Sequence, residues 1–155
     1  MLSKKTKYAL KAAIALAHSY QYEKGPVLIS ELAEQEGIPK KFLELILLDM
    51  KNAGFVQSKK GKGGGYMLRR TPVEIKMGHI VRMFEGPLAL LPCVSQTAYV
   101  QCSECRDERR CGLRLVMKEV RDATAQILDN TSLADVLDRV AQAETEDSKA
   151  LDYEI

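Results

Sequence analysis

The sequence predicts a mostly α-helical protein with one small β-hairpin, and three observations carry that prediction. Apolar residues recur at helical spacing through most of the chain. One stretch of glycine and lysine lies between two short β-prone segments. A long, uninterrupted amphipathic segment follows a cysteine-rich one. The 155 residues, 46% of them apolar, suit one domain, or one small domain with an attached oligomerisation arm.

Residues 4–21 set Tyr8, Ala12, Ala13, Leu16, Ala17 and Tyr20 on one helical face, and Gly25-Pro26 closes that helix. Ser30, a good N-cap residue, opens a second helix running to about Glu36, with Glu31 and Glu34 early in it. Gly37 turns the chain, and Pro39 suits the first turn of a third helix over 40–53. Phe42, Leu43, Ile46, Leu47 and Met50 are its expected buried side, and Gly54 its stop. Segments 55–59 and 66–70 then flank Lys60-Gly61-Lys62-Gly63-Gly64-Gly65, a hairpin with a basic tip. A short helix follows over 76–84, closed by Gly86-Pro87.

The cysteine-rich loop spans 88–111. Residues 112–130 form a long helix with Leu113, Val116, Met117, Val120, Ala123, Thr124, Ile127 and Leu128 on one stripe. Thr131 or Ser132 caps a last helix over 133–143, and the acidic tail 144–155 is expected to be flexible.

Three helices with a tight turn between the second and third, then a basic hairpin, is the order of a winged helix-turn-helix. The expected organisation is a DNA-binding domain over 1–87, a sensor loop over 88–111 and dimerisation helices over 112–143. In such a fold the second helix braces the third, whose outward side chains enter the major groove, while the wing tracks the backbone. Lys40, Lys41 and Glu44 are therefore candidates for phosphate and base contacts, and Lys59, Lys60 and Lys62 for phosphate contacts. The charge distribution agrees. Residues 1–72 carry 13 Lys+Arg against 6 Asp+Glu, and residues 73–155 carry 10 against 15.

Other classes fit poorly. No set of Ser, His and Asp, no paired catalytic carboxylates and no phosphate loop points to an enzyme, and the GKGGG segment lacks the Walker pattern. The opening MLSKKTKYALKAAIALAH imitates a secretory leader, but Lys11 and His18 interrupt its apolar stretch, so an amphipathic helix is expected. No segment approaches a membrane span, and a cytoplasmic protein is expected. His18 and His79 each stand alone and are expected to pack or face solvent. A winged helix that binds a protein partner, with structural zinc, is the alternative class.

Cys93, Cys102, Cys105 and Cys111 all fall within 19 residues, which in a reducing compartment reads as metal or redox chemistry before disulfides. Thiolates on one polar loop suit a [2Fe–2S] or [4Fe–4S] cluster, with Arg106, Arg109 and Arg110 expected to lower the thiol pKa values. A tetrahedral Zn²⁺ site and a metal-free thiol switch compete with that reading.

The chain also resembles the Rrf-type winged-helix regulators over residues 2 to about 140. The carrying segments are Ser3-Lys4-Lys5-Thr6-Lys7-Tyr8-Ala9-Leu10, Ile29-Ser30-Glu31-Leu32-Ala33, Phe42-Leu43-Glu44 and Gly61-Lys62-Gly63-Gly64-Gly65-Tyr66. Met83-Phe84-Glu85-Gly86-Pro87-Leu88 and Thr131-Ser132-Leu133-Ala134-Asp135-Val136 complete the set. The resemblance implies a homodimer on promoter DNA, acting as a repressor, with the long helix packed against its partner's. It also implies three cluster ligands matching Cys93, Cys105 and Cys111. A histidine found in some members corresponds to Arg114, which cannot serve, and the acidic ligand of others has no counterpart among Lys5-Thr6-Lys7-Tyr8. That leaves Cys102 as the candidate fourth ligand.

Overall fold

The structure is a computed structural model that describes residues 2–152, with side chains described to residue 146. Helices α1 (Lys4–Gln21), α2 (Ile29–Glu36) and α3 (Lys40–Asn52) lead into an antiparallel hairpin, β1 (Val56–Lys59) and β2 (Gly65–Leu68). Helix α4 (Met77–Glu85), one 3-10 turn at Pro92–Val94, and helices α5 (Gly112–Asn130) and α6 (Leu133–Asp152) complete the chain.

Helix α1 is the hub, packing against α2, α3, α4, α6 and β2. Its inward face is mostly alanine, with Ala9, Ala12, Ala13 and Ala17 fully covered around Leu16, so neighbouring helices come close. Leu32, Leu43, Ile46, Leu47, Met50, Ile80 and Leu133 close the core around it. Two expected core residues sit further out. Tyr20 is exposed, and Phe42 stays 36% exposed at the core edge with its ring edge-on to Tyr8 at 5.7 Å.

Other expectations shift slightly. Helix α2 begins at Ile29 after Leu28, so Ser30 lies inside the first turn and does not cap it. Gly37 ends α2 in the left-handed region. Ser132 does cap α6: its Oγ bonds Asp135 Oδ2 at 2.5 Å and accepts from the Asp135 N–H at 3.1 Å. Helix α6 does not stop near Ala143 but continues to Asp152, so the tail expected to be flexible is helical that far. Residues 153–155 of that tail lie outside the described residues.

The hairpin pairs Val56 with Leu68 and Lys59 with Gly65. Val27 extends it, exchanging two 2.8 Å backbone bonds with Tyr66. Gly65 is required there: its φ is +146°, and a Cβ would strike the Val27 carbonyl. Helix α5 is anchored at its far end. Arg82 of α4 pairs through both terminal nitrogens with Asp129, above Gly78, where a side chain would push the Asp129 carboxylate aside. Met77 N–H donates to Thr131 O at 2.8 Å and Leu133 N–H to Ile75 O at 2.9 Å, joining the start of α4 to the α5–α6 corner.

Candidate nucleic-acid interface and cysteine cavity

The outward face of α3 and the hairpin tip carry the six residues expected to meet DNA. Lys40, Lys41 and Glu44 are exposed near the start of α3, and Lys59, Lys60 and Lys62 are exposed at the tip. Two side-chain bonds tie α3 to its neighbours. Lys51 Nζ donates to Ser58 Oγ at 2.7 Å, tying the helix to the wing, and Lys5 Nζ reaches Asp49 at 2.7 Å, tying it to α1. Lys5 also lies 5.2 Å from the Phe84 ring centroid, so one cation connects α1, α3 and α4.

All four cysteines line one cavity of about 410 Å³, together with Leu91, Val100, Glu104, Glu108 and Arg114. Each is a free thiol: Cys93 is buried, Cys105 and Cys111 are half-buried, and Cys102 is exposed. The loop is built from short turns. Pro92 opens the 3-10 turn carrying Cys93, Cys105 N–H donates to Cys102 O at 3.3 Å, and Cys111 precedes the first residue of α5. Among the described residues, no three His, Cys, Asp or Glu side chains converge on a point where a single metal ion would sit. The thiols instead surround a volume. By its chemistry, a set of four thiols suits an iron–sulfur cluster, whose irons take cysteine sulfur.

At Cys105 the outcome differs from the expectation that arginines lower the thiol pKa. The Cys105 thiol is pushed up, not down, by burial and by the neighbouring Cys111 thiol. Arg110 turns to Asp107 at 3.7 Å, and no arginine lowers the Cys105 pKa. Two arginines on the inner face of α5, unremarked in the sequence reading for this role, hold the loop. Arg114 donates from Nε to the Cys93 carbonyl at 3.2 Å and pairs with Glu108 at 3.7 Å, while Arg121 bonds the Val94 carbonyl. Tyr99 Oη donates to Glu108 at 2.6 Å, which closes that wall. His79 does not line the cavity; it caps α4, its Nδ1 accepting from the Lys76 N–H at 3.4 Å. His18 is exposed and rests on Tyr22 with ring centroids 4.5 Å apart.

Helix-turn-helix, basic wing and long trailing helix together define a winged-helix DNA-binding regulator of transcription. The sequence profile of the Rrf2 family, described as iron-dependent transcriptional regulators, matches residues 2–139. The chain belongs to that family, whose members are regulators and not enzymes. It is 42% identical over 138 residues to an Rrf2-like helix-turn-helix regulator of Rhodobacter capsulatus, covering 88% of this chain and 92% of that one. Among solved structures it is similar to CymR, the global cysteine regulator of Bacillus subtilis, with a TM-score of 0.72 and 30% identity. That match covers 88% of this chain and 95% of CymR. The structure of T. potens IscR is similar too, with a TM-score of 0.72 and 29% identity over 92% of this chain and 90% of IscR. No helix among the described residues is long and apolar enough to cross a membrane.

Proposed function

We propose that this protein is a homodimeric, cytoplasmic repressor that senses iron–sulfur status, redox state or nitric oxide through a cluster held by Cys93, Cys105, Cys111 and Cys102. The observation that carries the reading is that all four thiols line one cavity, formed by the cysteine loop and the first turn of α5. A cluster bound there supplies one-electron redox chemistry and reactivity toward oxygen and nitric oxide. The protein's own part is mechanical. Arg114 and Arg121 tie the cysteine segment to α5, and Glu85-Gly86 joins it to the end of α4, so a change in loop shape reaches both.

Dimerisation has its own support. No residue of α5 is buried in the single chain, although Leu113, Val116, Val120, Ala123 and Ile127 share one exposed side. Their spacing alternates three and four residues, the pattern of a seam between two helices. The two recognition helices of a dimer would then meet two half-sites of promoter DNA, with Lys40, Lys41, Glu44 and the wing lysines in contact.

Anaerobic purification with iron and sulfide analysis tests the sensor. The expected result is a coloured protein containing both, and loss of colour in Cys93→Ala, Cys105→Ala and Cys111→Ala. Cys102→Ala decides the fourth ligand. Loss of the cluster assigns it, and retention points to a carboxylate of the cavity wall, Glu104 or Glu108. A colourless, metal-free protein would favour the second reading, supported by Cys105 and Cys111 lining the same cavity as free thiols: a switch in which hydrogen peroxide takes two electrons and two protons from the pair, leaving a disulfide and water.

A further inference from the structure

Helix α3 buries Leu43, Ile46, Leu47 and Met50, and its opposite face should be polar if solvent were its only neighbour. It is not. Leu45 is 59% exposed and Leu48 51% exposed, and neither belongs to the core cluster. Lys41, Leu45, Leu48 and Asn52 follow one another at four, three and four residues, so they form a single outward stripe with Glu44 beside it. One scattered surface leucine would need no explanation. Two on the same face of the helix that enters the groove, with lysines at both ends of the helix, do.

We infer that Leu45 and Leu48 are specificity residues that read thymine 5-methyl groups in the major groove. The inference rests on the reading of α3 as the groove-entering helix. The argument is one of chemical complementarity. The thymine methyl is the apolar group that the major-groove edges offer, and every other position there is a donor, an acceptor or a ring C–H. A leucine pressed against a donor or acceptor strips its water and returns no bond, so the same side chains select thymine and reject its competitors. Two polar groups that flank this face are committed elsewhere, Asp49 to Lys5 and Lys51 to Ser58. Residues three apart on a helix are separated by about 4.5 Å along its axis. Base pairs are spaced by about 3.4 Å. The two leucines therefore address neighbouring base pairs of one half-site.

The test uses the full-length protein and duplexes selected by it from a random pool. Each dT of the selected site is replaced in turn by dU, which removes one methyl group and keeps the base pairing. Wild type should lose affinity by roughly three- to sixfold at one or two neighbouring positions per half-site, the range that one buried methyl supplies. Leu45→Ala and Leu48→Ala should each erase the penalty at its own position, and a repeated selection should lose the thymine there. Both side chains are exposed and alanine favours helix, so unchanged thermal unfolding should accompany both variants. The inference is overturned if dU at every position leaves wild-type affinity unchanged, or if both variants keep the penalty. A change in their sedimentation with that penalty intact would instead make the leucines a protein contact. Failure of the wild-type protein to select any duplex would strike the DNA-binding reading itself, a distinguishable outcome.

Discussion

Glu85 ends α4, and its carboxylate accepts from the Ser3 N–H at 2.6 Å and from the Thr6 hydroxyl at the opening of α1. Those hydrogen bonds, from the Thr6 and Ser3 side chains first and the Ser3 backbone next, hold its pKa at about 2, against an ordinary value of 4.5. The folded value is the depressed one, so the ionised carboxylate stabilises the fold. That contribution is complete above pH 4.5 and is lost as pH falls from there toward about 2. Solvent exposure keeps it modest. Glu85→Gln should therefore lower the melting temperature at pH 7 and show a shallower acid limb than the parent between pH 4.5 and 2, measured by circular dichroism. Identical acid limbs would contradict the assignment. Nothing local in the sequence marks this bond, because its partners lie 79 and 82 residues away.

Among the elements, the wing and α5 make the sharpest predictions. If Lys59, Lys60 and Lys62 each neutralise a phosphate, the triple alanine variant should bind DNA more weakly. Its log K against log salt slope should shrink by about 0.9 per lost contact. An unchanged slope in a folded variant removes the wing from the interface. In α5, Val120→Glu should give a monomer by light scattering, since it places a charge in the expected seam. A monomeric wild type would refute the seam altogether. The bounds of α5 were legible because amphipathic spacing runs unbroken from Gly112 to Asn130, with Thr131 marking the corner. Phe42 and Tyr20 were not, because periodicity names a helix face but not how far the neighbouring element extends over its edge. The effect of the arginines on Cys105 was misjudged for a related reason. Charge proximity in sequence says nothing of direction, and Arg110 turns away to Asp107 while Arg114 and Arg121 reach in from the next helix.

At the scale of the whole molecule, the cysteine segment stands between two fixed ends. The far end of α5 is held to α4 by Arg82–Asp129, and its near end carries the loop. If the cysteines hold the proposed cluster, Arg82→Ala should leave iron and sulfide content unchanged while weakening the dependence of DNA affinity on it. Equal dependence in variant and parent, by fluorescence anisotropy, would show that this ion pair plays no part in transmission. The hold of Arg114 and Arg121 on the loop has one further consequence. Both grip main-chain carbonyls, of Cys93 and Val94, and neither grips a sulfur. Main-chain carbonyls survive any substitution of the side chains they accompany. On the proposed sensing role, mutation in descent could therefore exchange or delete the thiols, and with them the signal, while the connection from loop to α5 stays whole. If the loop is the sensor proposed above, this architecture lets a lineage change what it listens to without rebuilding how it responds.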